Sequence, residues 1–168
     1  MENKSHQFDK IVFADSKIII LGSFPSVISL KENFYYMNKN NRFYKVLAVL
    51  FNDDFTNKDI NKKIELLKKH HIALYDVIKS CTINNSSDAS ISNVVPNDID
   101  KIIKNSKIKK IFLNGKKAYE LFIKYFPNLQ NMAYLLPSTS SANASYSLEK
   151  LILQWSIIKL ELDRSCHQ

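Results

Sequence analysis

The sequence predicts an α/β fold, a three-layer α/β/α sandwich around a central four-stranded parallel sheet. Three observations carry this. Ile18–Leu21 is a short continuous apolar run, the mark of a strand buried on both faces, and Ile72–Val77, Ile108–Leu113 and Met132–Leu136 are further strand candidates rich in apolar residues. Segments with apolar residues at helical spacing stand between and after them. Such alternation builds βαβ units, whose helices cover both faces of a parallel sheet. No internal repeat or low-complexity linker divides the 168 residues, so 1–168 reads as one domain.

Ile18–Leu21 is closed by Gly22. Asn41–Phe51 sets Phe43, Val46, Leu47, Leu50 and Phe51 at helical spacing. Lys58–His70 repeats the pattern with Ile60, Ile64 and Leu67 and a basic outer face. Ile72–Val77 is the second strand. Asn84–Asn97, rich in Ser and Asn, reads as a long loop. Asp98–Lys104 is a short helix, with Pro96 just before it and Asn97 in N-cap position. Ile108–Leu113, the third strand, ends in Asn114-Gly115, and Lys116–Tyr125 is a helix stopped by Pro127. Met132–Leu136 is the fourth strand. Ser147–Leu162 is the last helix, with Leu148, Leu151, Ile152, Trp155, Ile158 and Leu162 on its apolar face.

Composition narrows the function. Lys+Arg 24 against Asp+Glu 16 leaves a net charge of +8. Only Arg42 and Arg164 are arginines, so lysine supplies 22 of the 24 cations. Such a surplus fits a polyanion, nucleic acid first, although an AT-rich genome also enriches Lys, Ile and Asn by codon bias. No apolar run approaches the ~20 residues of a membrane span, and Met1–Lys10 has no apolar core of a secretory signal. Two cysteines, Cys81 and Cys166, exclude a disulfide scaffold and four-cysteine zinc or iron–sulfur sites. A cytoplasmic monomer with no metal and no membrane partner is expected.

In open parallel sheets ligands bind outside the carboxyl ends of the strands. Function is therefore expected in Gly22–Ser26, Tyr75–Ser80, Asn114–Lys117 and Pro137–Asn143. Gly22-Ser-Phe-Pro-Ser26 is either a plain strand-to-loop turn or a place where backbone approaches a ligand. It is not a P-loop, since GxxxxGK[ST] is absent. Asn33–Tyr44 is too aromatic for an ordinary solvated loop. Phe43 and Tyr44 fit core anchors; Tyr36, amid polar neighbours, fits a stacking platform for a base. Pro137-Ser-Thr-Ser-Ser-Ala-Asn143 is uncharged and rich in hydroxyls. It can cap the last helix, or pass close to a phosphate backbone and donate to it. His70-His71 close a helix and read as surface residues; His6 and His167 read as terminal. Asp76 and Asp88 are the acids held in reserve. Lys116 and Lys117 open a helix where they could meet phosphate.

Taken together, GSFPS, FYYMNKNNRFY, FLNGKKAYELF and LPSTSSANASYSLEKLILQW resemble the hypoxanthine-DNA (deoxyinosine) glycosylases, a branch of the uracil-DNA glycosylase superfamily. The likeness runs in order from about Ile18 to Trp155. It implies hydrolysis of the N-glycosidic bond of a deaminated base in DNA, with no metal or organic cofactor. Gly22, Ser23 and Pro25 match the first motif, which in other branches carries a catalytic Asp or Asn; here Ser23-Phe24 stand there. The resemblance assigns the missing role to Asn41, base stacking to Tyr36, pocket lining to Asn114 and minor-groove entry to the loop of Ser138, Thr139, Ser140, Ser141 and Asn143. The chain departs from the family pattern at Ser141 (usually Pro), at Asn38-Lys39 (usually His-Pro) and at Tyr44 (usually Trp).

These residue types suit the chemistry. A stacked base must be flipped out, at a cost of a few kcal/mol, and Tyr36 would return on the order of 1–3 kcal/mol by stacking. Hypoxanthine offers an N–H beside a carbonyl, and Asn114 offers the complementary pair. An amide that flips would also suit adenine, so selectivity requires a group that fixes it. Uracil carries a similar edge, so a uracil or mismatch glycosylase of the same superfamily stays as the alternative enzyme; a catalytically silent DNA-binding module on the same fold is the alternative outside enzymes. Backbone N–H groups near Ser23 and Phe24 could supply hydrogen bonds to the departing base, as an oxyanion hole does. Asn41 is no strong base, and its expected work is to position a water through its carbonyl.

Overall fold

A computed structural model describes residues 2–83 and 91–165. Its centre is a four-stranded sheet of β2 (Ile18–Gly22), β3 (Ile72–Asp76), β6 (Lys110–Asn114) and β7 (Ala133–Leu136). The strands run in the order β3-β2-β6-β7, and every pair is parallel. The register sets Gly22 beside Asp76, Leu21 beside Leu113 and Asn114 beside Leu136. Gly22, Asp76 and Asn114 thus end level at one edge of the sheet.

Two cores follow from the two-residue period of the strands. Ile18, Ile20, Ile72, Leu74, Phe112 and Leu136 face α2 (Phe43–Phe51), α3 (Ile60–Lys69) and α6 (Leu148–Ser165). Ile19, Leu21, Ala73, Ile111 and Leu113 face α4 (Ile99–Lys104) and α5 (Lys116–Tyr125). The three-layer expectation holds. No helix of the described residues is long and apolar enough to cross a membrane.

A second sheet was not expected. β1 (Glu2–Ser5), β4 (Ile78–Ile83) and β5 (Ile91–Pro96) form an antiparallel sheet in the order β1-β4-β5. Only Val77 separates β3 from β4, so one continuous stretch serves both sheets. This corrects the long loop expected over Asn84–Asn97: 91–96 is a strand, and 84–90, with the reserve acid Asp88, lies outside the described residues. The side chains of β1 are mostly exposed. Those of β5 are exposed or half-buried, with Ile91 and Val94 resting on the α4–α5 core; the Ser- and Asn-rich run that leads into β5 masks this short apolar pattern.

Helix starts follow local chemistry. Ser26 caps α1 (Val27–Glu32) by accepting from Ser29 N at 3.1 Å. Asp59 caps α3. Ser147 accepts from Lys150 N at 3.2 Å at the start of α6. Asn97 does not cap α4; Asp98 occupies that position. The Asn97 side chain is buried, donating to the carbonyls of Asp76 and Ile78 at 2.9 and 3.1 Å and accepting from the Tyr75 hydroxyl. Bridging the two sheets outweighs an exposed cap, because unpaired buried carbonyls are costly.

Candidate active site

The level strand ends open into a cavity of about 550 Å³. Its lining includes Gly22, Ser23 and Phe24 after β2, Tyr36 and Asn41 before α2, Asp76, Asn114, and Ser138, Thr139, Ser140 and Ser141 after β7. Every expected site residue except Asn143 meets there. Asn143 turns to its own loop, its Nδ2 donating to Ser138 O at 3.0 Å.

Gly22 forms the floor. A Cβ there would come within 2.5 Å of Asp76 Oδ1 and 3.1 Å of the Tyr36 hydroxyl. Gly22→Ala is therefore expected to push the Asp76 carboxylate aside, at a cost of roughly 1–3 kcal/mol. A melting experiment beside a base-excision assay checks this: activity should fall further than the loss of folded protein explains.

Tyr36 has φ 56°, the left-handed region an aromatic residue seldom adopts. Strain of this kind collects at functional sites. One face of its ring stacks on Phe43, centroids 4.1 Å apart, so only the opposite face is left for a base. Its hydroxyl, near Asn114, is buried with no hydrogen bond of normal geometry. Phe43 and Tyr44 are core anchors, as expected.

Asn41, Thr139 and Asn114 form a directed chain. Asn114 Nδ2 donates to Thr139 Oγ1 at 3.0 Å, and Thr139 N donates back to Asn114 Oδ1 at 3.0 Å. Thr139 Oγ1 then donates to Asn41 Oδ1 at 2.8 Å. The two contacts fix which way the Asn114 amide points. Asn41 Oδ1 also accepts from Phe43 N at 2.9 Å. With both acceptor directions used, Asn41 presents its Nδ2 to a ligand and not its carbonyl.

Arg42 holds the loop after β7. Its guanidinium donates to the carbonyls of Ser140 at 2.8 Å, Asn143 at 3.2 Å, Thr139 at 3.4 Å, and Tyr146. Gly115, at φ 101°, lets the loop close down: a Cβ there would meet Ser138 Cβ at 3.1 Å. Lys116 is exposed and pairs loosely with Glu120 at 3.9 Å.

His6 is not a free terminal residue. Its Nε2 pairs with Asp76 Oδ2 at 2.8 Å, with side chains 2% and 5% exposed. The imidazole lies among Phe8, Phe24, Tyr35 and Tyr75. Sequence reasoning missed this contact, which spans 70 residues. His70 pairs instead with Asp53 at 2.9 Å, away from the cavity; hydrogen bonds from Lys69 and His70 hold that carboxyl below its usual range. Among the described residues, no group of three or more His, Cys, Asp or Glu is placed to hold a metal ion.

Burial pushes the hydroxyls of Tyr35, Tyr36, Tyr44 and Tyr75 above the ordinary tyrosine value of 10.0, and the charge of Asp76 adds to this for Tyr35, Tyr36 and Tyr75. The unfolded chain would release these protons near pH 10 while the folded one keeps them. Stability should hold up to about pH 10 and fall steeply above it. Denaturant midpoints measured from pH 8 to 11 check this.

The parallel sheet sets fixed amides, an aromatic ring and a hydroxyl-rich loop around one cavity at its carboxyl edge, a shape and lining that suit a flat polar ligand. The comparisons give the family. A model of the uracil DNA glycosylase superfamily matches residues 8–159, and the chain belongs to that superfamily. A hypoxanthine DNA glycosylase of Methanosarcina acetivorans is 33% identical over 144 residues, 83% of this chain and 89% of its own. The hypoxanthine DNA glycosylase of Methanosarcina barkeri is 30% identical over 145 residues. The solution NMR structure of a Methanosarcina acetivorans protein assigned to the uracil DNA glycosylases superposes with a TM-score of 0.79 at 29% identity, over 93% of this chain and 96% of that one.

Proposed function

We propose that the protein is a monofunctional DNA glycosylase that hydrolyses the N-glycosidic bond of deaminated bases, chiefly hypoxanthine. The observation that carries this reading is the Asn114–Thr139–Asn41 chain across the cavity. It supplies a base-reading amide of fixed orientation beside a second amide, and the relatives named for hypoxanthine agree with it.

The flipped base enters between the free face of Tyr36 and the strand ends. Asn114 keeps one N–H and one lone pair for its edge. Backbone N–H groups at Ser23 and Phe24 face the charge that gathers on the departing base. The sugar becomes oxocarbenium-like as the C1′–N bond breaks, water adds its oxygen to C1′, and the proton that this water loses neutralises the departing base anion. A cationic centre needs a well-placed water more than a strong base. Asn41 places it, Nδ2–H donating to the water oxygen. Ser138, Thr139, Ser140 and Ser141 lie along the strand while the base is out.

The test is a panel of duplexes carrying hypoxanthine, uracil, xanthine or a thymine mismatch, scored for abasic product. Excision of hypoxanthine ahead of the others is expected. Uracil ahead of hypoxanthine would move the assignment to a uracil glycosylase, and binding without abasic product would leave a DNA-binding module. The lysine surplus should make nonspecific affinity fall with salt, by about 0.9 log units per log unit for each neutralised phosphate.

A further inference from the structure

We propose that Asp76, oriented by His6, is a second specificity-determining group: its free oxygen accepts the lactam N–H of the flipped base. This rests on the glycosylase reading above and names what that site selects.

Asp76 ends β3 on one side of Gly22, and Asn114 ends β6 on the other. They stand two strand spacings apart, roughly 10 Å, and both line the cavity. One Asp76 oxygen is taken by His6 at 2.8 Å. The other lies over Gly22, where only a missing side chain leaves room for it. No hydrogen bond from the described residues other than His6's reaches the Asp76 carboxylate. A pair that merely tied the N-terminal segment down would not need its second oxygen at the floor of a cavity.

The chemistry is selective. A carboxylate oxygen only accepts. It matches the N–H of hypoxanthine and repels the bare ring nitrogen of adenine, and it cannot reverse its sense as an amide can. Asn114 Nδ2–H is then left for the adjoining carbonyl. His6 lies outside the residues matched by the family model, 8–159. The aromatic cage fixes the imidazole, and the imidazole fixes which Asp76 oxygen faces the base.

Affinity for duplexes carrying uncleavable 2′-fluoroarabino hypoxanthine, uracil or adenine separates this role from a structural one. Asp76→Asn, nearly isosteric, should lower the preference for hypoxanthine over adenine roughly tenfold, because an amide can present either sense. Affinity for a tetrahydrofuran abasic analogue should not change. Asp76→Ala should lose hypoxanthine excision by roughly 100-fold. His6→Gln, which keeps a donor, should retain the preference; His6→Phe, which fills the cage without one, should lose it. If Asp76→Asn and His6→Phe only lower the melting temperature and leave base preference intact, the assignment is wrong while the glycosylase reading stands. A wild type that excises neither hypoxanthine nor uracil, and binds neither better than adenine, overturns both.

Discussion

Asn41→Ala should lose excision by roughly 10²–10³-fold in a protein that still folds and binds hypoxanthine-containing DNA. The structure divides the side chain into two halves. Oδ1 accepts from Phe43 N and from the Thr139 hydroxyl, a local task close to helix capping, worth about 1 kcal/mol. Nδ2 is the half left for the reaction. Asn41→Asp separates the two. It keeps both acceptor contacts, so a capping role predicts near-normal behaviour. A positioning role predicts loss, because the Nδ2 donor that places the water is gone. Single-turnover excision and thermal melting on both variants decide the matter. Full activity in Asn41→Ala on every deaminated base would remove it from the mechanism.

Arg42→Ala should cost roughly 2–4 kcal/mol of stability, since hydrogen bonds to a charged donor are worth about 1.5–3 kcal/mol each and are partly replaced by water. The functional loss should be larger on duplex than on single-stranded substrate. Four carbonyls from Thr139 to Tyr146 hang on this guanidinium, and that loop also supplies Thr139 to the amide chain. Duplex DNA adds the cost of unpairing the base, so a slack loop is felt there first. Arg42→Lys should not restore activity, because one compact ammonium cannot span the same carbonyls. Equal losses on both substrates would mean that the loop does not support flipping.

The parallel sheet was legible because β2, β3 and β6 are buried on both faces and read as largely apolar runs, and because the edge strand β7, though Tyr134 and Leu135 are exposed, is apolar in sequence. The cavity was legible because strand ends of such sheets converge. What escaped is polar or distant. β1 shows backbone to its neighbour and side chains mostly to water, and β5 sets Ile91 and Val94 on the core only after a Ser- and Asn-rich run. His6 meets Asp76 only through a strand pairing that sets Glu2 against Ile83, and no local pattern carries that. Thr139 read as one hydroxyl among several, although it directs two amides. Arg42 did leave a signal. It is one of two arginines in a chain that otherwise uses lysine, and a planar fork is what several carbonyls at fixed spacing call for.

β1 also bears on how the protein comes apart. The β2 side chains are all buried, whereas those of β1 lie mostly in water. Loss of β1 therefore costs a few backbone bonds and little apolar area, and elements of that kind detach at free energies well below that of global unfolding. Amide exchange in β1 and at His6 N, which donates to Lys79 O at 2.7 Å, should run ahead of exchange in β2 and β6. A molecule whose N-terminal arm has peeled away keeps its two cores and the loop after β7 but has released the imidazole from Asp76. Loss of base discrimination is then a milder event than unfolding, and heat or denaturant should reach it first.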